Sequence, residues 1–414
     1  MRVLIVTAGS WGDVAPYTGL GRRLSAGGHE VSLATHARFE AAVTAHGLGF
    51  RPLPLDPRAE LASPAGQGLA RAGGGPCEVV RAVRMFRRFM PPLAAAMADA
   101  VRAGTDVLLA SPLAEPLCVP LAEAYGLPCI GAHLQPLAPT RAFPPPVAGT
   151  RSFGPYGNRL AARAVLTGMD LMFAPSAAVL RRELGLPARR TGPALSPARA
   201  VHHGFSPYVV PRPADWPPGH RVGGYWWPER PPGWRPEPRL LDFLAAGPPP
   251  VFAGFGSFVA GSEADAERLG GLVAAALRKA GVRGIVQAGW SGLRAEGDDL
   301  ITVGEVPHDW LFPRTAAVIH HAGAGTTAAG LRAGVPAVPV PVQLDQHFWA
   351  ARLTALGVAP GVLRYQRLTV DRLATAVRAA VTEPAPRTRA RRVAAELARE
   401  DGAAPLLTAL AELG

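Results

Sequence analysis

The run Ala316–Asp345, AAVIHHAGAGTTAAGLRAGVPAVPVPVQLD, restricts this chain more than any other segment. Ala316–Ile319 is an apolar run that predicts a buried strand, and it ends in His320-His321. The turn Ala322-Gly323-Ala324-Gly325-Thr326-Thr327 follows, then Ala328–Ala333, rich in helix formers. Ala337–Val340 reads as a second strand, with Asp345-Gln346 just beyond it. Strand, glycine turn, helix and strand make a βαβ unit. Glycines let the backbone approach a ligand. The first helical N–H groups lack intrahelical partners and sit at the positive end of the macrodipole, so they favour an anion. Thr326 and Thr327 add hydroxyl donors and His321 an imidazole. The expected guest is a phosphate or diphosphate.

Two ligand classes fit this turn. Gly323-x-Gly325-x-x-Ala328 matches the relaxed dinucleotide pattern, with Asp345 about twenty residues on. A nucleotide-sugar site fits as well, and the histidine pair favours it, because a dinucleotide strand stays apolar up to its first glycine. A plain tight connection between strand and helix is the third reading.

At 414 residues the chain is too long for one ordinary core, so two domains are expected. The apolar fraction of 48% suits a globular protein, and no run reaches the eighteen apolar residues of a membrane span. Met1–Ala8 has one arginine and no apparent cleavage site, which argues against a secretory signal. Cys77, Cys118 and Cys129 are odd in number and lack C-x-x-C spacing, which fits a reducing cytoplasm and no zinc site. The net charge of +12 is almost all arginine, with Lys279 the one lysine. The densest cluster, Arg81–Arg88, predicts an amphipathic helix with a solvated face. No nucleic-acid module accompanies the charge, so nucleic-acid binding is not expected.

The chain opens with a second βαβ unit. Val3–Thr7 is a strand, Ala8–Asp13 the loop at its carboxyl end, Pro16–Ala26 a helix stopped by Gly27-Gly28, and Glu30–Ala34 a strand. Ligands of open α/β sheets sit at carboxyl strand ends, where Asp13 lies. The competing role for Asp13 is a helix cap. Further strands are expected at Val107–Ala110, Cys129–Ala132 and Leu171–Ala174, with helices at Leu117–Tyr125 and Ser176–Leu184 and irregular segments at Ser63–Pro76 and Pro136–Pro146. Pro207–Pro218 is proline-rich and reads as a semi-rigid linker. The pattern then restarts: strands at Val251–Phe255, Gly284–Gln287 and Leu300–Val303, helices at Ala264–Ala280 and Val370–Val381. Arg389–Glu400 and a short helix from Pro405 close the chain.

Several segments together resemble the nucleotide-sugar glycosyltransferases of the GT-B fold, nearest the branch of bacterial natural-product and sterol glucosyltransferases. They are Gly12–Pro16, Gly254–Ser257, Val306–Pro313, His320–Thr327, Gly330–Pro336 and Asp345-Gln346. The match is strong over residues 251–360, fair over 2–31 and weak over 36–211. The resemblance implies an α/β protein of two Rossmann-like domains facing across a cleft. Residues 1–206 would hold the acceptor and 219–386 the donor, with 207–218 as linker and 387–414 crossing back to the first domain. His321, Gly323, Gly325, Thr326 and Thr327 would hold the diphosphate, with Gly256 and Ser257 on a facing loop. Val306 and His308 would border the base, and Asp345 and Gln346 would bind sugar hydroxyls. Asp13 would be the general base, with Ser10, Trp11, Gly12 and His133 as possible substrate contacts. Ala322 stands where the branch has glycine, which implies a tighter turn against the ligand. Trp11 stands where arginine is common. The implied partners are a nucleotide-diphosphate sugar and a hydrophobic small-molecule acceptor. The implied reaction is inverting hexosyl transfer without cofactor or metal, since the sequence has no D-x-D. An oxidoreductase built on Gly323–Ala328, a nucleotide-sugar epimerase and a non-catalytic nucleotide-sugar binder are the competing functions.

Overall fold

The structure, a computed structural model, describes residues 1–56, 58–59, 90–188, 199–258 and 262–413. The expected Ser63–Pro76 loop and Arg81–Arg88 helix lie outside them.

The strands are short and apolar, and they are buried on both faces, so they form parallel sheets covered by helices. The first sheet holds β1 Arg2–Val6, β2 Glu30–His36, β3 Gly49–Leu53, β4 Val107–Ala110, β5 Cys129–His133, β6 Val201–His203 and β7 His220–Val222. Its order is β3-β2-β1-β4-β5-β6-β7, all parallel. The second holds β8 Val251–Gly254, β9 Gly284–Gln287, β10 Leu300–Val303, β11 Ala317–His320 and β12 Ala337–Pro339, in the order β10-β9-β8-β11-β12. In each sheet the chain builds outward from its first strand and then returns to that strand's other side. Such a reversal is a switch point, where open sheets bind ligands at the carboxyl ends. The switch points are β1/β4 and β8/β11.

The principal helices are α1 Trp11–Ala26, α2 Glu115–Tyr125, α3 Gly154–Glu183, α4 Glu263–Ala280, α5 Ala324–Ala333, α6 Gln346–Ala355, α7 Val370–Thr382, α8 Pro384–Leu397 and α9 Ala404–Ala411. Leu171–Ala174, expected as a strand, lies inside α3. Asn158, Ala162, Leu166, Phe173 and Leu180 are its buried positions, at steps of four and seven, which is a helical period. By length and composition α3 could cross a membrane, although no uncharged run marks it in the sequence. One of its faces belongs to this fold: Arg181 pairs with Glu123 of α2 at 2.7 Å.

The expected domain limits also shift. β7 pairs with β6, so the first sheet extends to Val222, and residues 223–250 pass to the second. Residues 207–218 are packed rather than spacing: Val209, Val210 and Trp216 are buried, and the Trp216 indole donates to the Ala138 carbonyl at 3.1 Å. The prolines hold a compact wall there. Val209, Val210 and Trp216 join Phe205, Trp349, Leu353 and Leu397 in one apolar cluster between the domains. The Arg352 guanidinium ties α6 to the Val209 carbonyl at 2.8 Å. α8 stays with the second domain. α9 enters the first, where Ala403, Leu406 and Leu410 pack with Val3, Ile5 and Leu20. The Trp226 indole donates to the Gly402 carbonyl at 3.0 Å, joining the two crossing segments.

Candidate active site in the interdomain cleft

The second switch point is made mostly of backbone. β11 ends at His320, and Ala322 turns the chain with φ +61°. Gly323 caps α5, so Ala324, Gly325 and Thr326 supply the unpaired N–H groups of the first turn. A side chain on Gly323 would collide with His321: an added Cβ falls 2.4 Å from Nε2. The same ring lies against Gly256, whose φ of +58° and 2.8 Å approach to His321 Cε1 leave no room for a side chain. His321 is thus clamped between the turn after β8 and the turn after β11. Burial holds its pKa down at about 4, with the Gly254 carbonyl acting the other way, so the ring is neutral and can donate one hydrogen bond. Thr327 is buried, and its Oγ1 has no hydrogen-bond partner. Ser257 is half-buried in the β8 turn.

Three further expectations can be placed. His308 opens a short helix and stacks on Phe312 at 4.3 Å, while Val306 packs beside Trp310. His320 is buried, and its Nδ1 accepts the Ala322 N–H at 3.1 Å, which is a structural role. Ala322 is fully buried and belongs to the same apolar cluster as Leu331 and Trp349.

Past β12, Asp345 caps α6, and its Oδ2 accepts the Trp349 indole N–H at 3.0 Å. The Gln135 side chain, from the first domain, also lies near enough to favour this carboxylate's charged form. Gln346 turns its Oε1 to the N–H groups of Val342 and Gln343 at 2.8 and 3.0 Å, so its amide oxygen braces the loop. Leu344 precedes Asp345 with φ +51°, a strained conformation for leucine, and is 63% exposed.

The first switch point is made mostly of side chains. α1 begins at Trp11, earlier than the expected Pro16, so Asp13 sits in its first turn and not in a loop. Its Oδ2 accepts the Ser10 N–H at 2.9 Å and Ser10 Oγ at 3.0 Å, a capping box. Gly9, at φ +139°, lies beneath that carboxylate, with an added Cβ 2.5 Å from Oδ2. The Gly9 N–H donates to Nε2 of His36 at 3.0 Å, which holds the loop to β2. Burial raises the Asp13 pKa to about 6 against the Ser10 bonds, and the charge of Asp345 adds to the rise. The two carboxylates, one from each domain, are thus near enough for their charges to interact. Arg38 stacks on Trp290 at 5.2 Å from the opposite domain.

Gly12 is exposed beside Asp13, and Trp11 packs on Phe39 with ring centres 5.5 Å apart. His133 is buried, with its Nε2 3.3 Å from Glu115 Oε2. Sequence reading missed Gly9, His36, Gln135 and Trp349. His36 ends a strand at its carboxyl edge, a signal open to inspection; Gln135 and Trp349 carry none.

Residues 3–144 match the glycosyltransferase family 28 N-terminal domain, and residues 284–413 match the erythromycin biosynthesis protein CIII-like C-terminal domain. An O-mycaminosyltylonolide 6-deoxyallosyltransferase of Streptomyces fradiae is 36% identical, over 97% of this chain and 95% of its own. A sterol 3-beta-glucosyltransferase of Arabidopsis thaliana is 32% identical, over 99% of this chain and 67% of its own. Among solved structures, the glycotransferase of kitacinnamycin superposes with TM-score 0.71 at 20% identity, covering 100% of this chain and 98% of its own. The glycosyltransferase VinC in complex with DTDP superposes with TM-score 0.67 at 20% identity, each chain covered in full. With these matches the dinucleotide reading of Gly323–Ala328 gives way, and the chain belongs to the GT-B nucleotide-sugar glycosyltransferases, in the branch that holds macrolide and sterol enzymes.

Proposed function

We propose that this glycosyltransferase moves a hexose from a UDP- or TDP-activated sugar to a hydroxyl of a lipophilic small molecule, with inversion and without a metal. One observation carries the reading: the Asp13 carboxylate of the first domain senses the charge of Asp345 in the second, which follows β12, the strand next to the one that leads into α5. The names of the relatives, a macrolide deoxyallosyltransferase and sterol glucosyltransferases, support the acceptor class. The complex of VinC with DTDP supports the donor class.

In this reading the diphosphate lies on the first turn of α5, with N–H groups, Thr326 and Thr327 hydroxyls and the His321 imidazole as donors. Ser257 reaches it from the β8 turn, and Val306 and His308 border the base. Asp345 and the free amide nitrogen of Gln346 take the sugar hydroxyls. The acceptor hydroxyl gives its proton to Asp13 while its oxygen attacks the anomeric carbon. The bond from that carbon to the diphosphate oxygen breaks, and the nucleoside diphosphate leaves with the electron pair. Leaving-group charge falls on preorganised donors, which is the work a metal does in other transferases. One displacement inverts the centre, so an α-linked donor gives a β-glycoside. A raised Asp13 pKa near 6 makes it a better proton acceptor than an ordinary carboxylate, while it is still ionised at pH 7.

A panel of sugar nucleotides titrated by calorimetry, followed by transfer to steroid and macrolide acceptors in EDTA, tests this. The expected product is a β-glycoside formed in the chelator. An α-product sinks the single displacement, and loss of turnover in EDTA with rescue by Mg²⁺ sinks the metal-free account.

A further inference from the structure

A second polar cluster lies beside the cleft, where the chemistry above does not use it. A cavity of about 30 Å³ is lined by Pro112, Pro116, Leu137, Leu166 and Met169, and its polar wall holds Glu115, Asp170, Arg199, His133 and His220. Arg199 Nη2 meets Glu115 Oε1 at 2.5 Å, with the two side chains 12% and 5% exposed. His133 Nε2 stands 3.3 Å from the other Glu115 oxygen. Charges are costly to bury unless paired, so Glu115 and Arg199 offset each other, and Asp170 adds a further carboxylate, so the wall does not favour an anion. Burial also keeps His133 and His220 in their neutral forms. His133 Nε2 lies 3.3 Å from both the Glu115 carboxylate, which accepts, and Arg199 Nη2, which donates, so either tautomer has a partner there, and a hydroxyl, which both donates and accepts, suits Nδ1 in either form. In both His133 and His220 the Nδ1 atom is buried with no hydrogen-bond partner. Buried polar atoms in folded proteins are seldom left so. The space admits a group or two of water size, not a ring system.

Place completes the argument. Asp13 follows β1, Glu115 follows β4 and His133 ends β5, three adjacent strands of one sheet. Two strand spacings separate the general base from the cavity, roughly 10 Å.

We propose that this cavity is a subsite for a second, non-reacting hydroxyl of the acceptor, borne on a rigid apolar skeleton about 10 Å from the reacting one. This rests on the glycosyl-transfer reading above. The cavity takes the hydroxyl alone, with the skeleton outside it, and the second hydroxyl hydrogen-bonds an imidazole Nδ1. His133 and His220 are then specificity-determining residues of the acceptor site.

The test measures binding, so it does not depend on turnover. The probes are two matched pairs: a 3-hydroxysteroid with and without a hydroxyl on its far ring, and an aromatic polycycle with and without a distal hydroxyl. Each is titrated into the full chain with UDP or TDP present. One neutral hydrogen bond predicts that the dihydroxy member of at least one pair binds about three- to tenfold more tightly. That ratio should fall toward one in His133→Phe, with nucleoside-diphosphate affinity as the check on folding. If His133→Phe does not fold, His220→Phe carries the same readout. A ratio near one in the wild type for both pairs, no binding of either pair, or a ratio unchanged in both variants overturns the subsite. The reaction is scored separately. An intact binding ratio with no sugar transferred to any probe would sink the transfer reading and leave the subsite standing.

Discussion

The two switch points use the same topology with different atoms. At β8/β11 the ligand side is backbone: the open turn of α5, with Gly256 and Gly323 closed around His321. At β1/β4 it is side chains: Asp13 in its capping box, then Glu115 and His133 from neighbouring strands. A backbone site recognises what every donor shares, a diphosphate. A side-chain site recognises what distinguishes one acceptor from another. The comparison predicts that substitutions in the first half act through chemistry and selectivity, and those in the second through donor affinity.

The largest effect should come from Asp13→Asn. Asparagine can still accept from Ser10 and keep the cap, but it cannot take a proton. Loss of a general base typically costs about 10²–10⁴ in rate. Donor affinity should hold, since the proposed donor contacts lie in the other domain. Turnover near wild type in a variant with a normal melting temperature would return Asp13 to a cap and erase the chemical half of the comparison.

Next is Thr326→Ala with Thr327→Ala. Hydrogen bonds to a charged group are worth about 1.5–3 kcal/mol each before non-additivity, so nucleoside-diphosphate affinity should fall roughly tenfold or more. Asp345→Ala should spare the free nucleoside diphosphate and weaken only the sugar-bearing donor. Unchanged affinity in a folded threonine double variant would place the diphosphate elsewhere.

The difference between the halves also explains what could be read from sequence. The donor turn is one continuous stretch, Ala316–Asp345, whose glycines, threonines and histidines announce a strained, anion-binding backbone. The β1 loop carries Asp13 in a recognisable context, though the early start of α1, set by Ser10 and Asp13 capping each other, was not legible. Glu115, His133 and Arg199 lie far apart in the chain and are unremarkable singly; only the order β4-β5-β6 joins them. Gln135 meets Asp345 only once both domains are folded. Leu171–Ala174 misled because a four-residue apolar run is ambiguous between strand and buried helix. The prolines of 207–218 misled because stiff segments pack as readily as they space.

A smaller effect is the pH dependence. As the proposed base Asp13 must be ionised to act, and burial raises its pKa to about 6. kcat/KM should therefore fall about tenfold per pH unit below that value, a limb that belongs to the Asp13–Asp345 pair. The sign for stability is opposite to the usual carboxylate case. The folded state binds this proton more tightly than the unfolded chain, so the shift costs stability as pH rises from about 4 to 6 and restores it as pH falls. Asp345→Asn removes a charge that raises the Asp13 pKa, so the limb should move to lower pH. Burial is the larger cause, and the move should be the lesser part of the shift. A limb that stays in place would mean the two carboxylates do not sense each other.

The smallest effect should come from Ala322→Gly, and it isolates the backbone character of the donor half. Ala322 holds φ +61°, which costs an L-residue roughly 1–2 kcal/mol. Glycine relieves that strain. It also loosens the unfolded chain by about 0.5–1 kcal/mol and removes one buried methyl worth about 0.8 kcal/mol. The terms nearly cancel, so the melting temperature should barely move. Nucleoside-diphosphate affinity should not move either, because Ala322 is fully buried within an apolar cluster. Calorimetry on the two forms decides it. A several-fold gain in affinity for the glycine form would show that the methyl crowds the diphosphate. A side chain would then be tuning the half of the site assigned to backbone alone.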